Sequence, residues 1–167
     1  MNKQWDTGFI EDFANVLAAC GTKVSVGDIE GSRTAVVEAD ENGAAAGYTL
    51  TVEHPYEDTT CVCLLFPMFS GLDSNTAYSI ISLTRYLNKF LSTGCFVVSA
   101  GDGDVFFRHS FFIDEQMDKA ALFMLTAETI DICAVTAAEG INIIAPVIEG
   151  KTPIAELLND GHAIIQQ

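Results

Sequence analysis

The sequence contains few basic residues. Lys and Arg account for 8 of its 167 residues, against 23 Asp and Glu, so the formal net charge at pH 7 is −15. A surface that binds nucleic acid or anionic lipid holds the phosphates with clustered Lys and Arg. Here the basic residues are scattered from Lys3 to Lys151. The sequence therefore argues against nucleic acid and against a membrane surface as partners.

Long uninterrupted apolar segments are also missing. No wholly apolar stretch approaches the roughly 20 residues with which a helix crosses a bilayer. The first residues include Asp6, Glu11 and Asp12 and lack the continuous apolar centre of a signal peptide. The five cysteines are an odd number, which favours reduced thiols over a disulfide framework. We therefore expect a soluble, cytoplasmic protein.

The composition predicts a packed core. Hydrophobic residues make up 49% of the sequence and charged residues only 19%, which is too apolar for a disordered chain. A chain of this length buries enough surface to be stable without a metal or a disulfide. We expect a single domain over residues 1–167, with a core at about 5–150 and a short carboxy-terminal helix or tail at 151–167.

Apolar residues recur at steps of three and four in several segments, which predicts helices. These segments are residues 5–20, 74–94 and 114–150, followed by the tail helix. Asp6 or Thr7 can cap the first helix, and Asp73 begins a capping cluster for the second. Gly140 and Pro146 favour a kink or break in the third.

Other segments alternate between apolar and polar residues, which predicts strands. The predicted strands are residues 34–39, 46–53, 59–66, 95–100 and 105–112. The third strand is apolar on both faces, so we expect it to be central or covered on each side. Together the pattern predicts an α+β fold with an antiparallel five-stranded sheet and helices packed on it, in the order α-β-β-β-α-β-β-α.

The last two predicted strands flank Asp102-Gly103, a pair typical of a two-residue hairpin turn. In that register Val98 lies opposite Phe107, and Phe96 lies opposite His109. One face then carries the residues of the core. The opposite face carries, among others, the side chains Val97, Phe106, Arg108 and Phe112.

Apolar residues on both sheet faces predict that two copies of the chain associate as a homodimer. The alternative is that the helices of one copy cover both faces. Only coordinates or a mass measurement in solution can separate these two arrangements.

The residues that could carry chemistry form no recognisable catalytic or cofactor-binding pattern. Cys61-Val62-Cys63 is a single pair, whereas a structural zinc site needs about four ligands, so packing of buried thiols is the favoured interpretation. The imidazoles are those of His54, His109 and His162, of which His109 lies in a predicted strand. Its role as a general base paired with a cysteine remains an alternative.

The segment 101–104, Gly-Asp-Gly-Asp, has some likeness to a calcium loop. It lacks the further oxygen ligands and the distal Glu of such a loop, so it is interpreted as a hairpin turn. No phosphate loop and no dinucleotide-binding fingerprint is present in the sequence. We therefore predict no catalytic residues, no cofactor-binding residues and no metal ligands.

One part of the sequence resembles a known family. Three consecutive features resemble the YbjN family of bacterial sensory-transduction regulators. They are a helix end with Leu-Asn at 83–89, a strand at 94–98, and a short acidic-Gly turn followed by a strand with Arg-His at 102–110. Residues 134–150 are similar to the carboxy-terminal helix of that family. The element order resembles the type III secretion chaperone-like fold. The resemblance implies a small, acidic, cytoplasmic dimer without a cofactor and implies no catalytic residues.

These observations lead to one function hypothesis and two alternatives. The hypothesis is a non-enzymatic, dimeric protein-interaction module, regulatory or chaperone-like, that binds a polypeptide along a sheet edge or an apolar face. Its candidate interface residues are Phe106, Arg108, Phe112 and Val97. The first alternative is a small-molecule-binding protein or small enzyme that uses the neighbourhood of His109, Cys61 and Cys63. The second is a secretion chaperone for a specific client.

Overall fold

The structure, a computed structural model, describes residues 8–40, 46–56, 59–114 and 117–159. Within these residues the fold is α+β, with helices and one antiparallel sheet. The chain forms two compact units. Unit 1 comprises Met1–Phe66 and His109–Ala134, and unit 2 comprises Pro67–Arg108 and Val135–Gln167. That the whole chain is a single domain stays a prediction.

The secondary structure elements of the described residues follow in chain order. The helices are α1 (Phe9–Ala19), α2 (Ser74–Leu87), α3 (Lys119–Ile148) and α4 (Ile154–Asn159). The strands are β1 (Val24–Ile29), β2 (Ser32–Val37), β3 (Tyr48–Tyr56), β4 (Thr59–Phe69), β5 (Cys95–Ser99) and β6 (Asp104–Ile113). The sheet has six strands in the order β1-β2-β3-β4-β6-β5, so β1 and β5 form its edges.

The prediction of a five-stranded sheet is wrong, because β1 is an additional strand paired with β2. The observed element order is α-β-β-β-β-α-β-β-α-α, so the predicted order, on which the likeness to the secretion-chaperone fold depended, is wrong as well. β1 and β2 are joined by Glu30 and Gly31, which both have positive φ, 51° and 83°. Such a turn usually has Asn or Asp before its Gly. With Glu in that position, the sequence lacks the usual hairpin signal.

The predicted register of the last two strands is also wrong. Phe96 lies opposite Phe107, and Val98 lies opposite Val105, so the strands are joined by four residues, 100–103, instead of two. The shift is two residues along the strand. Because side chains alternate with a period of two, the prediction still assigned each residue to the correct face.

The core of unit 1 lies between one face of the sheet and two helices, α1 and the first part of α3. β3 and β4 contribute buried apolar residues to it, namely Tyr48, Leu50, Val62, Leu64 and Phe66. α1 packs on β1, β2 and β3, and its Phe9 and Phe13 rings lie 5.4 and 5.5 Å from the ring of Phe123 in α3. Burial, with a smaller contribution from the charge of Asp131, raises the pKa of Tyr48 to about 12.

In unit 2, α2 packs against β5. As predicted, Asp73 caps α2: its carboxylate accepts hydrogen bonds from the amides of Asn75 and Thr76 at 3.0 and 3.2 Å. The helix buries its apolar face through Ala77, Ile80, Leu83 and Leu87. A methyl group on Gly140 would lie 2.3 Å from the ring of Phe96. Gly140 therefore allows α3 to approach Phe96 of β5 closely. α3 continues to Ile148 with Pro146 inside it, so the break that was one of the two expectations does not occur, and a kink stays a prediction.

By length and composition alone, α3 could cross a membrane. Its most apolar 18-residue window has a mean hydropathy of 1.5. One such helix is weak evidence, because the core helix of a soluble protein meets the same criterion. Within unit 1, α3 buries Leu122, Thr126, Ile130 and Cys133, which recur at helical steps. That the protein is soluble and cytoplasmic stays a prediction.

Candidate functional site

The sheet face opposite the core of unit 1 carries an unusual group of side chains. In β3 and β4, Glu53 lies directly opposite Cys61, and Thr51 lies directly opposite Cys63. Because alternate residues of a strand share a face, all four side chains project from the same side of the sheet. We call Glu53, Cys61 and Cys63 the thiol–carboxylate cluster.

The atoms of this cluster are close enough to act together. The two sulfur atoms lie 3.8 Å apart, and these sulfurs and a carboxylate oxygen of Glu53 all lie within 4.8 Å of one another. Cys61 and Cys63 are only 5% and 7% exposed, whereas Glu53 is half-buried. Among the described residues, these are the His, Cys, Asp and Glu side chains grouped closely enough to share an ion.

Sequence analysis found only part of this cluster. It singled out Cys61 and Cys63 as a pair of buried thiols, and the structure confirms that both are buried. It missed Glu53, because the contact depends on the pairing register of β3 and β4. The short segment between those strands was the signal that could have suggested the pairing.

A cavity of about 410 Å³ adjoins the cluster. Its lining includes Ser32, Arg33, Val52, Glu53, His54 and Pro55. Arg33 Nε donates to a carboxylate oxygen of Glu11 at 2.6 Å, and this hydrogen bond is the main reason why the pKa of Arg33 is raised. The carboxylate of Glu11 therefore compensates the positive charge that Arg33 brings to the lining of the cavity.

The described histidines, His54 and His109, and the remaining cysteines lie outside the cluster. His109 stacks on Phe111 with ring centroids 6.2 Å apart, and burial lowers its pKa. His54 Nδ1 lies 3.2 Å from the hydroxyl of Thr60, and His162 is outside the described residues. Burial raises the pKa of Cys133 to about 11, which keeps that thiol protonated at neutral pH.

The predicted interface residues on β5 and β6 are mostly accessible. Val97 is 38% exposed and Phe112 is 68% exposed. Arg108 is also exposed, and Phe106, directly opposite Val97, is half-buried. The face predicted to lie opposite the core thus carries exposed apolar side chains. Whether it forms an interface stays a prediction.

The two edges of the sheet differ. In β5, the side-chain amide of Asn88 donates to the carbonyl of Phe96 at 2.9 Å and accepts from its amide at 2.8 Å. An edge strand pairs with another strand through these outward main-chain groups. Asn88 therefore occupies the position on β5 that an added strand would need.

The edge at β1 has no such cap among the contacts of the described residues. Ile29 and Ser32 flank the two-residue turn, so they form the hydrogen-bonded pair that closes the hairpin. Main-chain direction alternates along a strand, so the N–H and C=O groups of Val24, Val26 and Asp28 point away from β2. β1 therefore presents three residues whose main-chain groups can bind an added strand.

The turn at 101–104 has a structural role in unit 2. The carboxylate of Asp104 accepts from the amide of Gly71 at 3.1 Å, and that of Asp102 accepts from the hydroxyl of Ser99 at 2.8 Å. The carbonyl of Gly103 accepts from the amide of Leu72 at 3.0 Å. The carboxylates of Asp102, in the turn, and of Asp104, the first residue of β6, thus each accept a hydrogen bond from a nearby part of the chain.

Comparison with known proteins gives no further assignment, since no family model matches the sequence and no curated protein matches it. Membership of the YbjN family therefore stays a prediction.

Proposed function

We propose that this chain is a non-enzymatic, homodimeric protein-interaction module whose subunits associate through strand β1. The supporting observation is the difference between the sheet edges: Asn88 caps β5, whereas β1 turns the main-chain groups of Val24, Val26 and Asp28 outward. If a strand is added at β1, these N–H and C=O groups form hydrogen bonds with the main chain of that strand in place of hydrogen bonds with water.

The charges of β1 favour a second copy as the added strand. Lys23 precedes the strand, whereas Asp28 and Glu30 lie at its other end. Antiparallel pairing of two identical strands around Val26 brings the basic end of each copy near the acidic end of the other. This arrangement is the two-fold symmetric contact that most homodimers use.

The exposed face of β5 and β6 is left for a polypeptide partner in this proposal. Val97 and Phe112 offer exposed apolar surface, and Arg108 adds a positive charge to an acidic protein. The resemblance to the YbjN regulators agrees with an interaction role but identifies no partner. A secretion chaperone remains the alternative, which co-purification of one unfolded client would support.

The experiment is a mass measurement by light scattering on three forms of the protein. The wild type should have twice the 18.0 kDa mass of one chain. Val26→Pro removes one outward N–H, so we expect at least about a tenfold weaker dimer from the loss of roughly 1.4 kcal/mol or more. Val26→Thr keeps that N–H and serves as the matched control.

Two outcomes would contradict this location. A Val26→Pro protein that is folded and still fully dimeric would show that β1 is not the interface. If Phe112→Asp separates the subunits while Val26→Pro does not, the dimer uses the face that carries Phe106, Arg108 and Phe112. A wild type that is monomeric at every concentration tested would overturn the proposal itself.

A further inference from the structure

We propose that the thiol–carboxylate cluster of Glu53, Cys61 and Cys63 is a binding site for a thiophilic divalent cation of the Zn²⁺ class. The inference goes beyond the proposed interaction function and does not depend on it, because the cluster lies on β3 and β4 and includes no residue of β1.

The spacing of the two sulfurs is the first argument. A tetrahedral ion with metal–sulfur bonds of about 2.3 Å holds two thiolates about 3.8 Å apart. The sulfurs of Cys61 and Cys63 lie 3.8 Å apart. An ion could therefore bind both sulfurs without moving the strand that carries them.

The third ligand comes from the neighbouring strand. Glu53 is paired directly with Cys61, and its carboxylate lies within 4.8 Å of both sulfurs. Rotation of a flexible Glu side chain can shorten this distance to the roughly 3.6 Å between oxygen and sulfur ligands of one tetrahedral ion. The three ligands are thus held by two hydrogen-bonded strands, which is the kind of rigid support that a metal site requires.

The chemistry of the ligands selects the ion. Thiolates bind Zn²⁺ and similar borderline or soft ions, whereas Mg²⁺ and Ca²⁺ prefer oxygen ligands. Cysteine binds such an ion as the thiolate, in which the sulfur carries the negative charge that attracts the cation. Binding then releases the protons of Cys61 and Cys63, and affinity should rise with pH.

The adjoining cavity supplies access and room for a fourth ligand. Both sulfurs are almost completely buried, but Glu53 lines the cavity of about 410 Å³. Three protein ligands with water in the fourth position are typical of an accessible zinc site. The ion would enter along the carboxylate and then bind the thiols.

The test is a titration of the tag-free, reduced protein with Co²⁺, whose thiolate complexes absorb in the near ultraviolet. We expect the band to saturate at one equivalent of Co²⁺. One equivalent of Zn²⁺ should abolish it, and excess Mg²⁺ should leave it unchanged. Substitution of Cys61→Ser or Cys63→Ser should remove most of the absorbance, because each variant loses one of the two thiolate ligands and binds the ion more weakly.

The controls are chosen from the same chain. Cys20→Ser and Cys95→Ser change free cysteines outside the cluster and should leave the titration unchanged. Glu53→Gln should weaken Co²⁺ binding at least about tenfold, whereas Glu38→Gln should not. Because Glu53 is half-buried, its Gln variant tests the site even if the Cys variants do not fold.

The proposal is overturned if the wild type develops no thiolate band with Co²⁺. It is equally overturned if the band persists when Cys61 and Cys63 are both replaced, or if Glu53→Gln and Glu38→Gln bind the ion as tightly as the wild type. A second readout is the melting temperature, which one equivalent of Zn²⁺ should raise in the wild type and not in Glu53→Gln.

Discussion

The two edge strands of the sheet have the same kind of outward main-chain groups, but these groups have different hydrogen-bond partners. In unit 2, the amide and carbonyl of Phe96 on β5 are bound by the side chain of Asn88. In unit 1, β1 forms a hairpin with β2 and turns three of its residues outward. Among the described residues, a side-chain amide thus binds the outward groups of Phe96 on one edge, whereas no side chain makes such a contact with β1 on the other.

The comparison shows that one side chain at the end of a helix, Asn88 at the end of α2, can bind the outward groups of an edge strand. One Asn supplies both a donor and an acceptor, so it satisfies both outward groups of one strand residue. The two edge strands also differ in how closely other atoms pack against them. Around β5, Gly140 approaches the ring of Phe96 closely, whereas no atom of the described residues lies within 4 Å of a methyl group placed on Gly27 of β1.

The largest expected effect concerns this difference in packing. Gly140→Ala places a methyl group 2.3 Å from the ring of Phe96, so we expect a loss of about 1–3 kcal/mol in the free energy of unfolding. Gly27→Ala places a methyl group near no atom of the part of the chain that the structure describes, and it should instead stabilise the protein by about 0.5–1 kcal/mol. Urea denaturation of both variants measures the difference. Equal effects of the two substitutions would contradict the close packing of α3 at Gly140.

The next effect concerns the protected edge. Asn88→Ala removes two hydrogen bonds from Phe96, and we expect a loss of about 1 kcal/mol because water replaces part of them. It should also open β5 and produce species larger than the wild type in light scattering. Asn142→Ala, on an exposed residue of α3, is the control. If Asn88→Ala leaves the mass distribution unchanged, Asn88 does not act as an edge cap.

The smallest effect concerns the turn that leads from β1 to β2. Glu30 has a φ of 51°, a conformation that Asn adopts more readily than Glu. Glu30→Asn should therefore raise the free energy of unfolding by about 0.5–1 kcal/mol. Glu38→Asn, an exposed position after β2, should change it by less than about 0.5 kcal/mol. Thermal unfolding of the pair would show whether the turn carries this strain.

The elements with strong local signals were predicted well. The cap at Asp73 and the apolar spacing of α2 lie within one short segment, and the structure confirms both. The alternation in β3 likewise lies within one strand. β1 was missed, because Gly27 and Asp28 interrupt its apolar alternation and its turn contains Glu30 in place of Asn or Asp.

The candidate sites were predicted less completely. Each predicted interface residue was assigned to the correct face, because an even shift in register leaves the faces unchanged. The cap on β5 was not anticipated, although Asn88 is only eight residues from Phe96. The thiol–carboxylate cluster was half predicted, with the thiols found and Glu53 missed.

The amino-acid sequence by itself determined the helices and most of the strands, because these depend on residues that are neighbours along the chain. It also determined the excess of acidic over basic residues, which depends on composition alone. The tertiary structure alone decided that Asn88 binds the edge of β5, that three residues of β1 turn their main-chain groups away from β2, and that Glu53 meets Cys61 and Cys63. These contacts depend on the pairing of separate strands and on how a helix end meets a strand, and a change in register moves every partner along the sheet.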